Sequence, residues 1–145
     1  MIGLLQRVTR AEVRAQGCQP AVIGGGVAAL IGIERHDDAT RAERLLARLL
    51  DYRVFADDGG RMNRSLRSAG GGLLLVPQFT LAADTRKGNR ASFQTAAEPE
   101  TARELFEHLC QHAAAIHDPV ARGPFGADMA VELVNDGPVT FLLHA

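Results

Sequence analysis

Residues 73–81 read Leu73-Leu74-Leu75-Val76-Pro77-Gln78-Phe79-Thr80-Leu81, the most hydrophobic run of the chain. A triple glycine, Gly70-Gly71-Gly72, stands directly before it, and a polar stretch follows. An apolar run of this length, punctuated by glycine, predicts a buried strand rather than a helix. A strand of that kind needs neighbours on both sides, and the flanking sequence supplies them.

Downstream, residues 82–92 form a polar loop with Arg86, Lys87 and Arg90. A helix opens near Pro99 and places Ala102, Leu105, Phe106, Leu109 and Ala113 on one face. Upstream, residues 61–72 read as a loop and residues 52–55 as a short strand closed by Asp57-Asp58-Gly59-Gly60. A helix capped by Asp38 precedes them, repeating Ala42, Leu45, Leu46, Leu49 and Leu50 at helical spacing. Residues 27–33 are a continuous apolar strand, preceded by Gly24-Gly25-Gly26, which reads as a hairpin turn. Val8, Ala11, Val13 and Ala15 give the N-terminal segment β character. At the other end, residues 129–134 and 139–143 read as two strands joined by Asn135-Asp136-Gly137-Pro138. Strands outnumber helices and lie at both termini, which predicts one compact α/β or α+β domain over residues 1–145, with two principal helices.

The composition fits such a domain: 145 residues, 46% hydrophobic and 23% charged, are enough for a single core without covalent staples. Two cysteines, Cys18 and Cys110, make no disulfide framework. The opening MIGLLQRVTR lacks the cationic and apolar blocks of a secretory leader, and no apolar run approaches membrane-spanning length, so a cytoplasmic location is expected. Formal net charge is −1, yet residues 1–90 carry 14 basic and 9 acidic side chains (net +5) and residues 91–145 carry 2 and 8 (net −6). That split fits either a basic face for a polyanion or complementary surfaces that meet within the fold or across a dimer.

Few side chains announce a reaction. Gly24-x-Gly26-x-x-Ala29 matches a loose dinucleotide fingerprint but leads into a strand, where no helix N-terminus can meet a pyrophosphate. His108 and His112 share a helix face, but no third ligand accompanies them and Cys110 points to the apolar side, so no metal is expected. Thr80, Ser65, Ser68 and Ser92 lie in no nucleophile elbow and have no neighbouring histidine to activate them. Gly137-Pro138 and Gly123-Pro124 each admit a plain turn or an X-Pro bond held cis.

Several strings in combination, however, carry a resemblance over the whole chain. They are Gln6-Arg7-Val8-Thr9-Arg10-Ala11, Tyr52-Arg53-Val54-Phe55, Met62-Asn63, the run from Gln78-Phe79-Thr80 to Asp84-Thr85, and Asn135-Asp136-Gly137-Pro138-Val139-Thr140. The sequence resembles the D-aminoacyl-tRNA deacylase family. The resemblance implies a barrel-like, mainly antiparallel or mixed sheet and a homodimer. The implied enzyme uses no cofactor, has tRNA as its partner, and binds neither DNA nor membrane. It hydrolyses the ester of D-aminoacyl-tRNA, and of glycine mischarged on alanine tRNA. Gln78, Phe79 and Thr80 are implied to lie at the scissile ester, with backbone N–H groups steadying the oxyanion and the substrate's own 2′-hydroxyl assisting. An older reading makes the Thr80 hydroxyl the nucleophile. Gly137 and Pro138 are implied to form a cis motif that enters the partner subunit's site and rejects L substrates. Phe125 and Met129 are implied to line the amino-acid pocket, and Arg7 to brace the Gly-Pro segment. Arg86, Lys87 and Arg90, directly after the pocket string, are candidates for tRNA contact. One departure stands out: position 77, commonly serine in this family, is Pro77. Two rival classes stay open at this point, a non-catalytic RNA-binding dimer and a small-molecule esterase using Thr80.

Overall fold

A computed structural model describes residues 1–145. The spine is β1 (Ile2–Ala15), a 14-residue strand. The next two strands, β2 (Ala21–Ile23) and β3 (Gly26–Gly32), both run antiparallel to it, pairing with residues 11–13 and 2–8 respectively. Helix α1 (Ala39–Asp51) follows, with the Asp38 carboxylate accepting the Arg41 N–H at 2.8 Å as its cap. Strands β4 (Arg53–Ala56) and β5 (Met62–Ser65) form a separate hairpin, trailed by the short helix α2 (Leu66–Ala69). Then come β6 (Gly72–Pro77), a one-turn 3-10 segment (Phe79–Ala82), helix α3 (Pro99–Ile116), β7 (Val120–Arg122) and the 16-residue β8 (Met129–His144).

β1 lies between β8 on one side and the β2–β3 run on the other, β6 joins β3 in parallel, and β7 joins β6 in parallel. This mixed sheet has two cores. On one face α1 and α3 pack over Leu5, Val27, Ile31, Leu73 and Leu75. On the other, Val8, Ala11, Val13, Ile23, Ala28, Leu74 and Val76 form a smaller cluster that also takes Met129 and Leu133 of β8. β8 and β6 are separated by two strands in the ladder yet contribute side chains to the same cluster, so the sheet curls into a nearly closed barrel. Burial on both faces explains why β3 and β6 are unbroken aliphatic runs without alternation.

Four local expectations are corrected. Residues 24–26 make no hairpin: β2 and β3 follow one another along β1, and Gly26 serves close packing. A Cβ on Gly26 would stand 2.0 Å from the Gly72 carbonyl oxygen, its register partner in the parallel β3–β6 pair. Residues 61–72 are not a loop, because they hold β5 and α2, the latter closed by a capping box in which Ser65 and Ser68 bond each other's backbone N–H. The strand expected over 73–81 stops at Pro77, which has no N–H for the ladder; the Gln78 N–H makes the last bond, to the Ile31 carbonyl at 2.7 Å, and the chain then turns. Finally, Asn135-Asp136-Gly137-Pro138 does not reverse the chain. Residues on both sides of it pair with β1 (Gln6 with Thr140, Val8 with Asn135), so it is an insertion bulging from one continuous strand. β7, which no sequence signal marked, extends the sheet next to β6.

Candidate active site

The strand end at Pro77 opens a cleft of about 680 Å³ between the sheet, the start of α3 and the segment leading into β8. Pro77, Gln78 and Phe79 form one wall, and Phe125 and Met129 form the other. Most of the lining is apolar, with Arg35, Glu98 and Asp128 as its charged members. The Phe125 ring is fixed from behind, 6.1 Å from the Phe106 ring and with the Arg103 guanidinium 5.0 Å from its centroid. Phe79 and Phe93 pair at 5.0 Å while remaining 62% and 44% exposed, so two aromatic faces are offered to whatever enters.

The backbone N–H groups of Phe79 and Thr80 open the 3-10 turn after Gln78 and have no acceptor within it. Thr80 does not line the cleft, and its hydroxyl accepts a hydrogen bond from the Gln78 side-chain amide. No histidine lines the cleft either. Among the residues proposed from sequence, Gln78, Phe79, Phe125 and Met129 are therefore brought together, while Thr80 stands just behind. Phe93, Arg35, Glu98 and Asp128 were missed; an aromatic residue alone in a polar loop was the one available signal, for Phe93.

Arg7, Gly137 and Pro138 form a second assembly that lines no part of this cleft. The Gly137–Pro138 peptide is cis, as is Asp118–Pro119, whereas Gly123–Pro124 is not. Gly137 has φ +115° and a Cβ there would lie 2.8 Å from Arg7 Nη2, so only glycine fits. Arg7 Nε lies 3.0 Å from Asp136 Oδ2, and Arg7 Nη1 donates to the Val54 carbonyl at 2.5 Å. Asn135 Nδ2 donates to the carbonyls of Arg7 and Val139, both at 2.9 Å, closing the neck of the bulge. The loop itself is exposed.

Arg86, Lys87 and Arg90 all project into solvent. Arg86 is already matched, since its guanidinium holds Asp84 through two bonds at 2.9 and 2.7 Å and keeps that carboxyl far below the usual carboxylate range. Lys87 and Arg90 make no ion pair. On α3, the rings of His108 and His112 stack at 6.4 Å, and His108 Nε2 lies 3.2 Å from Glu43 Oε1. Cys110 is buried on the core side of that helix, and burial pushes its thiol up to about 12.

Residues 4–144 match the family model described as D-Tyr-tRNA(Tyr) deacylase. The chain belongs to that family. Curated D-aminoacyl-tRNA deacylases are similar along nearly the whole length. The protein of Thioalkalivibrio sulfidiphilus is 63% identical over 144 residues, 99% of this chain and 97% of that one. The protein of Methylococcus capsulatus is 60% identical over 99% of this chain and 94% of its own. Among solved structures, the c-Myc DNA Unwinding Element Binding Protein superposes with a TM-score of 0.94 at 35% identity, covering 100% of this chain and 99% of that one. A probable eukaryotic D-amino acid tRNA deacylase shares the fold, with a TM-score of 0.88 at 15% identity over 99% and 98% of the two chains. The family's sheet, curled over a small core with two long helices outside, is the fold described above. No helix is long and apolar enough to cross a membrane.

Proposed function

We propose that this protein hydrolyses the ester linking a D-amino acid to the terminal adenosine of tRNA. The observation that carries this reading is the cleft where Gln78 and Phe79 face Phe125 and Met129, in a chain 63% identical to a curated D-aminoacyl-tRNA deacylase. Water adds to the ester carbonyl carbon, the bond to the ribose oxygen breaks, and the released hydroxyl of tRNA takes up a proton. The negative charge that develops on the carbonyl oxygen is met by the backbone N–H of Phe79, which lines the cleft, and by that of Thr80 next to it, donors the turn leaves without a backbone acceptor. No histidine lines the cleft, and the substrate's 2′-hydroxyl assists the attack.

Chirality is read by the Gly137–Pro138 loop of a second copy. Exposed, braced and remote from its own cleft, the loop is suited to enter a neighbour's. β8 pairs only with β1, and Val134 and Leu142 beside its free edge are 58% and 53% exposed, which suits a surface awaiting another subunit. With ammonium and ester held, D and L isomers exchange hydrogen and side chain at Cα. A rigid loop at one of these positions excludes L substrates without touching D ones, and glycine, with hydrogen at both, passes.

Matched D- and L-tyrosyl-tRNA, incubated with the protein, test this reading through loss of ester. D-selective loss is expected. Equal loss from both points to a general esterase, and none from either to a non-catalytic RNA-binding dimer. A tRNA ending in 2′-deoxyadenosine tests the assisted step, which requires a large fall in rate.

A further inference from the structure

We infer that the β4–β5 hairpin with α2 is a second phosphate-binding surface, which grips the RNA backbone of the substrate through Arg53, Arg61 and Arg64. Over residues 53–67 four arginines stand against two aspartates, and all four are exposed. Arg67 is matched by Asp51 at 3.1 Å. Arg53 and Arg61 have no side-chain partner, and Arg64 Nη2 donates at 2.8 Å to the Ser68 main-chain carbonyl, which orients the guanidinium but leaves its charge unbalanced.

The hairpin is rigid. Asp57 accepts the N–H groups of Gly59 and Arg61 at 2.9 Å each through Oδ1 and the Asn63 amide at 2.7 Å through Oδ2, bonds that hold its carboxyl below the usual range. That carboxylate is thus committed to holding the turn. Guanidinium groups on a fixed frame, with their donors free, suit phosphate oxygens, which accept in the same forked geometry.

Arg7 determines where this surface sits. The guanidinium that lies beside Asp136 of the Gly137–Pro138 bulge also donates to Val54 of β4, so hairpin and bulge are tied into one body. The placement rests on the reading that the bulge enters a substrate pocket: the hairpin tied to it through Val54 then accompanies it to that pocket. The surface complements Lys87 and Arg90, because Arg86 is neutralised by Asp84.

The test measures binding of uncharged tRNA to the full protein and to R53Q/R61Q/R64Q over about 50–200 mM salt, a range in which lost phosphate contacts are resolved. Each lost contact lowers the slope of log K against log salt by roughly 0.7–0.9, so a fall of about two to three is expected, with tRNA affinity at low salt reduced at least tenfold. Hydrolysis of D-tyrosyl-adenosine, which lacks the RNA backbone, stays within twofold of wild type. An unchanged slope and affinity overturn the surface, and equal damage to the small substrate overturns its role in holding RNA. The single variant R61Q, at the turn, gives a slope change of about 0.7–0.9 should the triple variant fold poorly. Because binding is read without turnover, failure of the deacylase reading appears separately, as absence of D-selective hydrolysis by the wild-type protein.

Discussion

Arg7 Nε lies 3.0 Å from Asp136 Oδ2, across the neck of the bulge that carries Gly137 and Pro138. The same side chain holds Val54 of a different sheet, so one guanidinium sets the position of an otherwise exposed loop. Arg7→Met, similar in length but without donors, is expected to lower kcat/KM on D-tyrosyl-tRNA by ten- to a hundredfold, the usual effect of misplacing a positioning element by about an ångström. Arg7→Lys recovers part of the loss by restoring one contact. Circular dichroism and the oligomeric state should remain native in both; a fully active Arg7→Met would remove the bracing role.

Thr80→Ala should retain activity within about threefold, because the hydroxyl is turned toward Gln78 and the backbone N–H, which the substitution keeps, is the proposed donor. Pro77→Ser is likewise expected to leave kcat/KM close to wild type, since the proposed amide donors belong to later residues. A loss of a thousandfold in Thr80→Ala would reinstate the threonine nucleophile.

Gly26→Ala and Gly24→Ala form a matched pair for the core. At Gly26 the new methyl meets main chain at 2.0 Å, whereas at Gly24 nothing lies within 4 Å. Gly26→Ala should cost about 3 kcal/mol or more, at the severe end of overpacking, or prevent folding altogether. Gly24→Ala should change the unfolding free energy by less than about 0.5 kcal/mol, as surface substitutions do. Urea melts of the two variants compare them directly.

The thiols should separate by burial. Cys18 is exposed, whereas Cys110 is buried with its ionisation pushed up to about 12. Burial raises a thiol's pKa by disfavouring the thiolate, so the reactive form of Cys110 is negligible at pH 8 and gains population only as the pH approaches that value. One equivalent of a thiol-selective alkylating reagent should react with the native protein at pH 8 and two after denaturation, counted by mass spectrometry.

The elements legible in the sequence are those whose signal is local and repeated. Leu45, Leu46, Leu49 and Leu50 describe α1 because helical spacing puts them on one buried stripe, and Asp38 marks its start. β5 and α2 were illegible because four-residue pieces of mostly polar sequence complete no period. The site divides in the same way. Gln78 and Phe79 form a recognisable string, and Phe125 is reached only through the family resemblance, but nothing in the sequence connects Phe93 to the ring of Phe79.

By itself the sequence determined the two long helices, the doubly buried strands and the family of the chain, since each depends on composition, period or an uninterrupted string. The path of residues 129–144 was decided only by the tertiary structure. Asn135-Asp136-Gly137-Pro138 has the chemistry of a turn, and that chemistry serves a hairpin or a bulge equally well. β1, more than a hundred residues away, pairs with both flanks and holds the chain straight, so the four residues are pushed out as a loop and carry Gly137 against Arg7. Strand pairing is non-local, and no reading of adjacent residues contains the partner that selects between the two.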